Sequence, residues 1–98
     1  DIRIKTDYAS KVIEKIASSF PYEMINRLDG IKVNYPNGWG LVRRSVTEPA
    51  ITLRFEGRSK EDLDDVMGKF LESVPEIKES VMHKLAGHDR KVVKNIIK

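Results

Sequence analysis

The sequence predicts an α+β domain, with an antiparallel sheet of four to five strands, two helices packed on one face and an extra helix at the C-terminus. Three observations carry this. Short segments near 2–5, 31–35, 39–42 and 51–56 are apolar or alternate with the two-residue period of strands. Tight-turn signals, Asp29-Gly30 and Pro36-Asn37-Gly38, join the middle segments closely enough to make them antiparallel. Two longer segments, starting near Tyr8 and Leu63, carry apolar residues at helical spacing.

In chain order, Ile2 and Ile4 alternate with Arg3 and Lys5, the pattern of a half-buried strand. Asp7 is placed to cap a helix of about three turns, in which Tyr8, Val12, Ile13, Ile16 and Ala17 share a face. Phe20-Pro21 ends it, because a residue before proline is pushed out of the α region. Tyr22 to Leu28 is ambiguous, with a short strand as one reading. Ile31, Val33 and Tyr35 then alternate with Lys32 and Asn34; Trp39 to Val42 forms the next strand, and Ile51, Leu53 and Phe55 mark the one after. Gly57 breaks that strand. Ser59 caps a helix, with Asp62 three residues on, and Leu63, Val66, Met67, Phe70, Leu71 and Val74 form the cleanest stripe in the chain. Glu61, Asp62, Asp64 and Asp65 crowd its first turns, where the helix dipole favours them. Pro75 interrupts the pattern. Ile77, Val81, Met82 and Leu85 predict a short helix ending at Gly87, and Val92, Val93, Ile96 and Ile97 a further turn or two. The one-sided alternation of the strands implies a sheet with one face on the helices and one face wet.

Ninety-eight residues make one domain. The chain contains no cysteine, which excludes disulfides, thiolate metal sites and thiol nucleophiles. His83 and His88 are five apart, not the one-turn spacing that puts two imidazoles on one helix face, so no metal site is expected and both read as surface residues. No apolar run approaches the ~20 residues of a membrane span, and no signal-peptide pattern is present, so a cytoplasmic location is the expectation. Asp1 in place of Met points to a piece of something longer. The pI of 9.2 comes from the tail: Lys84 to Lys98 carries a net charge of +4, and residues 1–83 carry −1. Such a tail reads first as a solvated face.

Arg43, Arg44, Ser45 and Thr47, closed by Pro49, occupy a short connection between two strands. Guanidinium binds phosphate oxygens bidentately, and hydroxyls and turn N–H groups add neutral donors. The same residues also suit an ordinary polar hairpin loop with solvated arginines, and residue types alone leave both readings open.

Three stretches carry a family resemblance: Leu28-Asp29-Gly30-Ile31-Lys32-Val33, Gly38-Trp39-Gly40-Leu41-Val42-Arg43, and Arg43 to Pro49 followed by Leu53-Arg54-Phe55-Glu56. In this order and at these separations they resemble the "DG(I/V)-x-V", "GWGLVR", "R-x-S-(N/G)-T-x-P" and "LRFE" motifs of the C-terminal domain, the fourth, of the α-D-phosphohexomutases, the phosphomannomutase/phosphoglucomutase family. The wording is closer to the mannose and glucose enzymes than to the phosphoglucosamine mutases. The resemblance covers residues 1–75, with 76–98 as a helical, basic C-terminal extension. It implies a TATA-box-binding-protein-like fold and a domain whose loop grips the phosphate of a phosphosugar. The family's leading arginine falls on Arg43, its loop hydroxyls on Ser45 and Thr47, and the residue offering its backbone N–H on Val46.

Two positions depart from the family. Gly or Asn is usual where Val46 stands, and both tolerate positive φ. Either the loop here uses an ordinary φ, or Val46 bears strain of about 1–3 kcal/mol. Arg44 stands where Ala or Pro is common; it either reinforces the anion site or points away as the next residue along a strand. The rest of such an enzyme is missing from the chain, including the phosphoserine loop, the aspartate cluster for Mg²⁺ and the loop that reads sugar hydroxyls. The resemblance therefore implies a fragment without catalytic residues of its own. The full-length enzyme would use Mg²⁺ and a hexose bisphosphate intermediate, with upstream domains and a phosphosugar as partners and no nucleic acid. The alternative reading is an α+β module that binds nucleic acid with its open sheet face and basic tail. Trp39 reads as strand cover rather than a sugar platform, and Arg54 and Glu56 as cross-strand partners rather than a site.

Overall fold

The computed structural model describes the backbone of residues 2–97 and the side chains of residues 2–86. Its elements run β1 (Ile2–Lys5), α1 (Ala9–Ala17), a 3-10 turn (Tyr22–Met24), β2 (Ile25–Asn26), β3 (Ile31–Tyr35), β4 (Gly38–Arg44), β5 (Ala50–Gly57), α2 (Lys60–Leu71) and α3 (Pro75–Ile97). All strands are antiparallel, in the order β1-β5-β4-β3-β2, so the first strand pairs with the last. The ambiguous stretch after Pro21 resolves into the 3-10 turn and the two-residue β2.

Alternation sets which face each residue takes. Ile4, Ile31, Val33, Val42, Ile51 and Leu53 are buried beneath α1 and α2, together with Val12, Ile16, Met67, Phe70 and Leu71. Phe70 is the centre of this layer. Its ring meets Phe55 edge-on at 5.1 Å and stacks on Phe20 at 6.4 Å. It lies directly on Gly40, where a Cβ would come within 2.4 Å of Cδ2. Burial, and then the charge of Asp65, push the Tyr35 hydroxyl well above its usual pKa, so it stays neutral beside Phe20.

Ser59 Oγ accepts the Asp62 N–H at 3.1 Å, the cap expected for α2. The acids that follow are tied to the β3–β4 turn. Asn37 Nδ2 donates to Asp62 at 3.2 Å and Asp65 at 3.0 Å, and Lys69 pairs with Asp65 at 3.0 Å. Lys69, then Asn37, hold the Asp65 carboxyl below its ordinary value of 3.8. A carboxyl with a depressed folded pKa contributes stability that is present above its unfolded value and lost as pH falls through the folded one. Between pH 5 and pH 2, the urea midpoint of Asp65→Asn is expected to fall less steeply than that of the wild type; parallel slopes would show that the Asp65 contacts do not matter.

Two expectations are corrected. Asp7 does not cap α1: the N-cap is Tyr8 without a side-chain bond, and Thr6 Oγ1 instead accepts the Tyr8 N–H at 3.1 Å. The C-terminal segment is not a short helix stopping at Gly87; α3 is continuous from Pro75 to Ile97. A glycine inside a helix costs only ~1 kcal/mol, too little to stop it. Pro75, which breaks the α2 pattern, begins α3, as its fixed φ and missing N–H suit a first turn. Ile77 and Val81 bury α3 on the core, and Lys84 Nζ donates to the Arg3 carbonyl at 2.5 Å along the outer edge of β1. His83 is exposed; the side chains of His88, Val92, Val93, Ile96 and Ile97 lie outside those described. No helix among the described residues is long and apolar enough to cross a membrane.

Candidate phosphate-binding site

β4 runs two residues further than its sequence suggests, past Val42 to Arg44, so the β4–β5 connection is Ser45 to Pro49. The Ser45 N–H bonds the Ala50 carbonyl at 2.9 Å and closes its base; the Thr6 N–H bonds the Pro49 carbonyl at 2.9 Å and ties it to the end of β1. Those bonds hold both ends of the loop and leave its tip outside. Val46 is 100% exposed, and Thr47 and Glu48 are exposed as well. No residue other than glycine has a positive φ among those described, so Val46 takes an ordinary φ and the strain alternative falls away.

The strand parity divides the two neighbouring arginines. Arg43 is opposite Thr52 on the open face of the sheet. Arg44 is on the helix face, where its Nη1 donates to Ser10 Oγ of α1 at 3.0 Å. Both still line a shallow groove of about 510 Å³ at the end of the sheet, together with Ser45, Val46, Asp29 and Gly30. Thr47 is not among its lining residues. Gly30 carries φ +77 and brings the β2–β3 loop against Arg43, so that Asp29 Oδ2 meets Arg43 Nη1 at 2.8 Å. Both partners are substantially exposed, at 42% and 72%, so the pair adds little to stability and exchanges readily.

One arginine was missed in the sequence. Arg3 on β1 also pairs across the sheet with Thr52, so Arg43, Thr52 and Arg3 form one row on the open face. Arg3 Nη2 donates to Ser45 Oγ at 2.9 Å, and Arg3 Nε meets Glu48 Oε1 at 2.9 Å. Its side chain therefore spans the base and the rim of the loop. No local signal marks Arg3, because only the β1–β5 pairing brings residue 3 beside residue 52.

A larger hollow of about 750 Å³ lies between β1 and α3. Glu76 and Glu79 face its cations, which disfavours an anion there, so the loop is the better candidate. On the open face further along, Trp39 Nε1 donates to Glu56 at 3.2 Å and Lys32 lies 4.6 Å over the indole. Trp39 and Glu56 are direct cross-strand neighbours, and these contacts make the indole part of the strand surface.

Comparison with known proteins agrees with this architecture. The sequence pattern of the phosphoglucomutase/phosphomannomutase C-terminal domain matches residues 2–73. The chain is 50% identical over 46 residues to a phosphomannomutase/phosphoglucomutase of Pseudomonas aeruginosa, covering 47% of this chain and 10% of that protein. It is 34% identical over 73 residues to a phosphoglucomutase of Neisseria meningitidis, covering 68% of this chain and 16% of that protein. A crystal structure of a phosphoglucomutase/phosphomannomutase family protein from Burkholderia thailandensis superposes with a TM-score of 0.60 at 28% identity, over 76% of this chain and 16% of that one. The chain thus spans between about a tenth and a sixth of the length of these relatives. With five antiparallel strands, helices on one face and a match over residues 2–73, this chain belongs to the phosphoglucomutase/phosphomannomutase family, as its C-terminal domain.

Proposed function

We propose that this chain is the substrate-phosphate-binding domain of a phosphomannomutase/phosphoglucomutase that interconverts hexose 1-phosphate and hexose 6-phosphate through a hexose bisphosphate. The observation that carries the reading is the loop itself. Its ends are pinned, its tip is exposed, and Arg43 and Ser45 stand together at its base on the open face. Arg43 supplies the charged fork, Ser45 and Thr47 the hydroxyls, and the Val46 N–H a neutral donor. Arg44 belongs to the α1 side of the groove and takes no direct part.

The domain's work is to position. Gripping a phosphate remote from the reacting one turns binding energy into orientation of the sugar. Mg²⁺, where the complete enzyme uses it, would offset charge on the transferring phosphoryl group. Asp62 and Asp65 of α2 do not fit that ion: both already accept from Asn37, and Arg58 and Lys69 pair with them. The metal and the phosphoserine belong to upstream domains, with residues 1–75 forming the phosphate-binding domain and 76–98 a helical, basic extension.

The test is calorimetric titration of the 98-residue chain with a hexose 6-phosphate, the same hexose without phosphate, and a single-stranded oligonucleotide. Binding of the phosphosugar alone is expected, with no mutase turnover. Oligonucleotide binding that weakens steeply with salt, with no response to the phosphosugar, would instead support a nucleic-acid module and contradict the proposal.

A further inference from the structure

We propose that Arg3 is a second guanidinium ligand for the phosphate, and that Glu48 is the internal anion the phosphate displaces from it. The inference rests on the phosphate-binding reading of the loop and adds a residue and a switch to it. Arg3 shares a row with Arg43 across Thr52, two strand spacings or about 10 Å apart at Cα, a separation that two arginine side chains can close over one anion. Arg3 already bonds Ser45 Oγ, the hydroxyl that follows Arg43 by two residues, so its fork is directed at the loop. Its Nε holds Glu48 of the same loop at 2.9 Å.

That arrangement is an anion site with an anion of its own. Glu48 is a monoanion on an exposed side chain, and both partners stay open to solvent, at 49% and 41%, so the pair is weak and exchangeable. A phosphate dianion carries more charge and more acceptor oxygens, and it can engage Arg3, Ser45 and Arg43 at once. When it does, Glu48 swings to water and Arg3 changes partner without leaving Ser45. Glu48 therefore opposes phosphate entry, and it keeps the Arg3 guanidinium aimed at the loop until phosphate arrives. A plain structural brace makes the opposite demand: breaking the Arg3–Glu48 pair would loosen the loop and weaken binding.

The experiment titrates the 98-residue chain and its variants with inorganic phosphate and with a hexose 6-phosphate, alongside thermal melts. All altered side chains are exposed, so each variant is expected to melt close to the wild type. Arg3→Gln is expected to bind both ligands about tenfold more weakly, the loss of one charge-assisted fork at an exposed site. Glu48→Gln is expected to bind them about fivefold more tightly, and this gain is expected to vanish in Arg3→Gln/Glu48→Gln, because the carboxylate acts through Arg3. In the wild type, the Arg3 Nε–H resonance is expected to shift on adding phosphate. Weaker binding by Glu48→Gln, or unchanged binding by Arg3→Gln while Arg43→Gln abolishes it, would overturn the inference and leave the phosphate-binding reading standing. Absence of binding by every form, the wild type included, would overturn both.

Discussion

Phe70→Ala is expected to destabilise the domain by about 3–5 kcal/mol, the usual cost of emptying a buried phenylalanine site. The ring is fully buried and forms the meeting point of Phe20, Phe55 and the Gly40 backbone. Little can move in to replace it: Gly40 offers no side chain from the sheet, and the neighbouring rings are fixed by their own contacts. For a domain of this size each kcal/mol is worth about 4–8 °C in melting temperature, so a drop of 12 °C or more is expected. The glycine supplies an internal check. Gly40→Ala alone forces a Cβ into the ring and is expected to cost about 1–3 kcal/mol. In the Phe70→Ala background the added methyl meets a cavity instead, so the double variant is expected to be more stable than the sum of the two losses allows. Urea denaturation of the four proteins measures the cycle. Additive losses would show that Phe70 and Gly40 do not pack as described.

Arg43→Gln is expected to weaken hexose phosphate binding by about 10- to 100-fold, the equivalent of about 1.5–3 kcal/mol for hydrogen bonds to a charged group. Glutamine keeps much of the length and polarity but loses the fork and the charge. Stability is expected to change by less than about 1 kcal/mol, because the pair with Asp29 that the substitution breaks is exposed. The contrast with Arg44 sharpens the expectation. Arg44 neighbours Arg43 and lines the same groove, but its guanidinium is engaged with Ser10 on the helix face, so Arg44→Gln is expected to leave affinity within about twofold. Calorimetric titration separates the two. Equal losses from both substitutions would mean that a diffuse positive field, rather than a directed fork, attracts the anion.

Features governed by local pattern were legible in the sequence. The α2 stripe and its Ser59 cap are set within a few residues, and the structure has both. Asp29-Gly30 reads as a turn because glycine alone takes φ +77 without cost, and the β2–β3 loop uses it so. The division of Arg43 from Arg44 also follows from strand parity, although the sequence left open whether the strand ran that far. Where competing local signals were close in energy, the reading failed. Gly87 resembles a helix stop, yet α3 passes through it; Asp7 resembles a cap, yet Thr6 holds the first free N–H. Arg3 was not legible at all. Its place beside the loop depends on the first strand closing against the fifth, a contact between residues 49 apart that no spacing rule reveals. Val46 takes an ordinary φ, the conformation a β-branched residue favours, where the family pattern of Gly or Asn had left a positive φ open.

The central claim, that the β4–β5 loop is a phosphate grip, is tested most directly by following the backbone amides of the ¹⁵N-labelled chain as a hexose 6-phosphate is added. Saturable shifts confined to residues 43–47 and to Arg3 and Thr52 are expected, matched by inorganic phosphate and absent with the unphosphorylated sugar. Shifts centred on Lys32, Trp39 and Arg54 of the open face, or on the basic tail, with the loop amides unmoved, would contradict it.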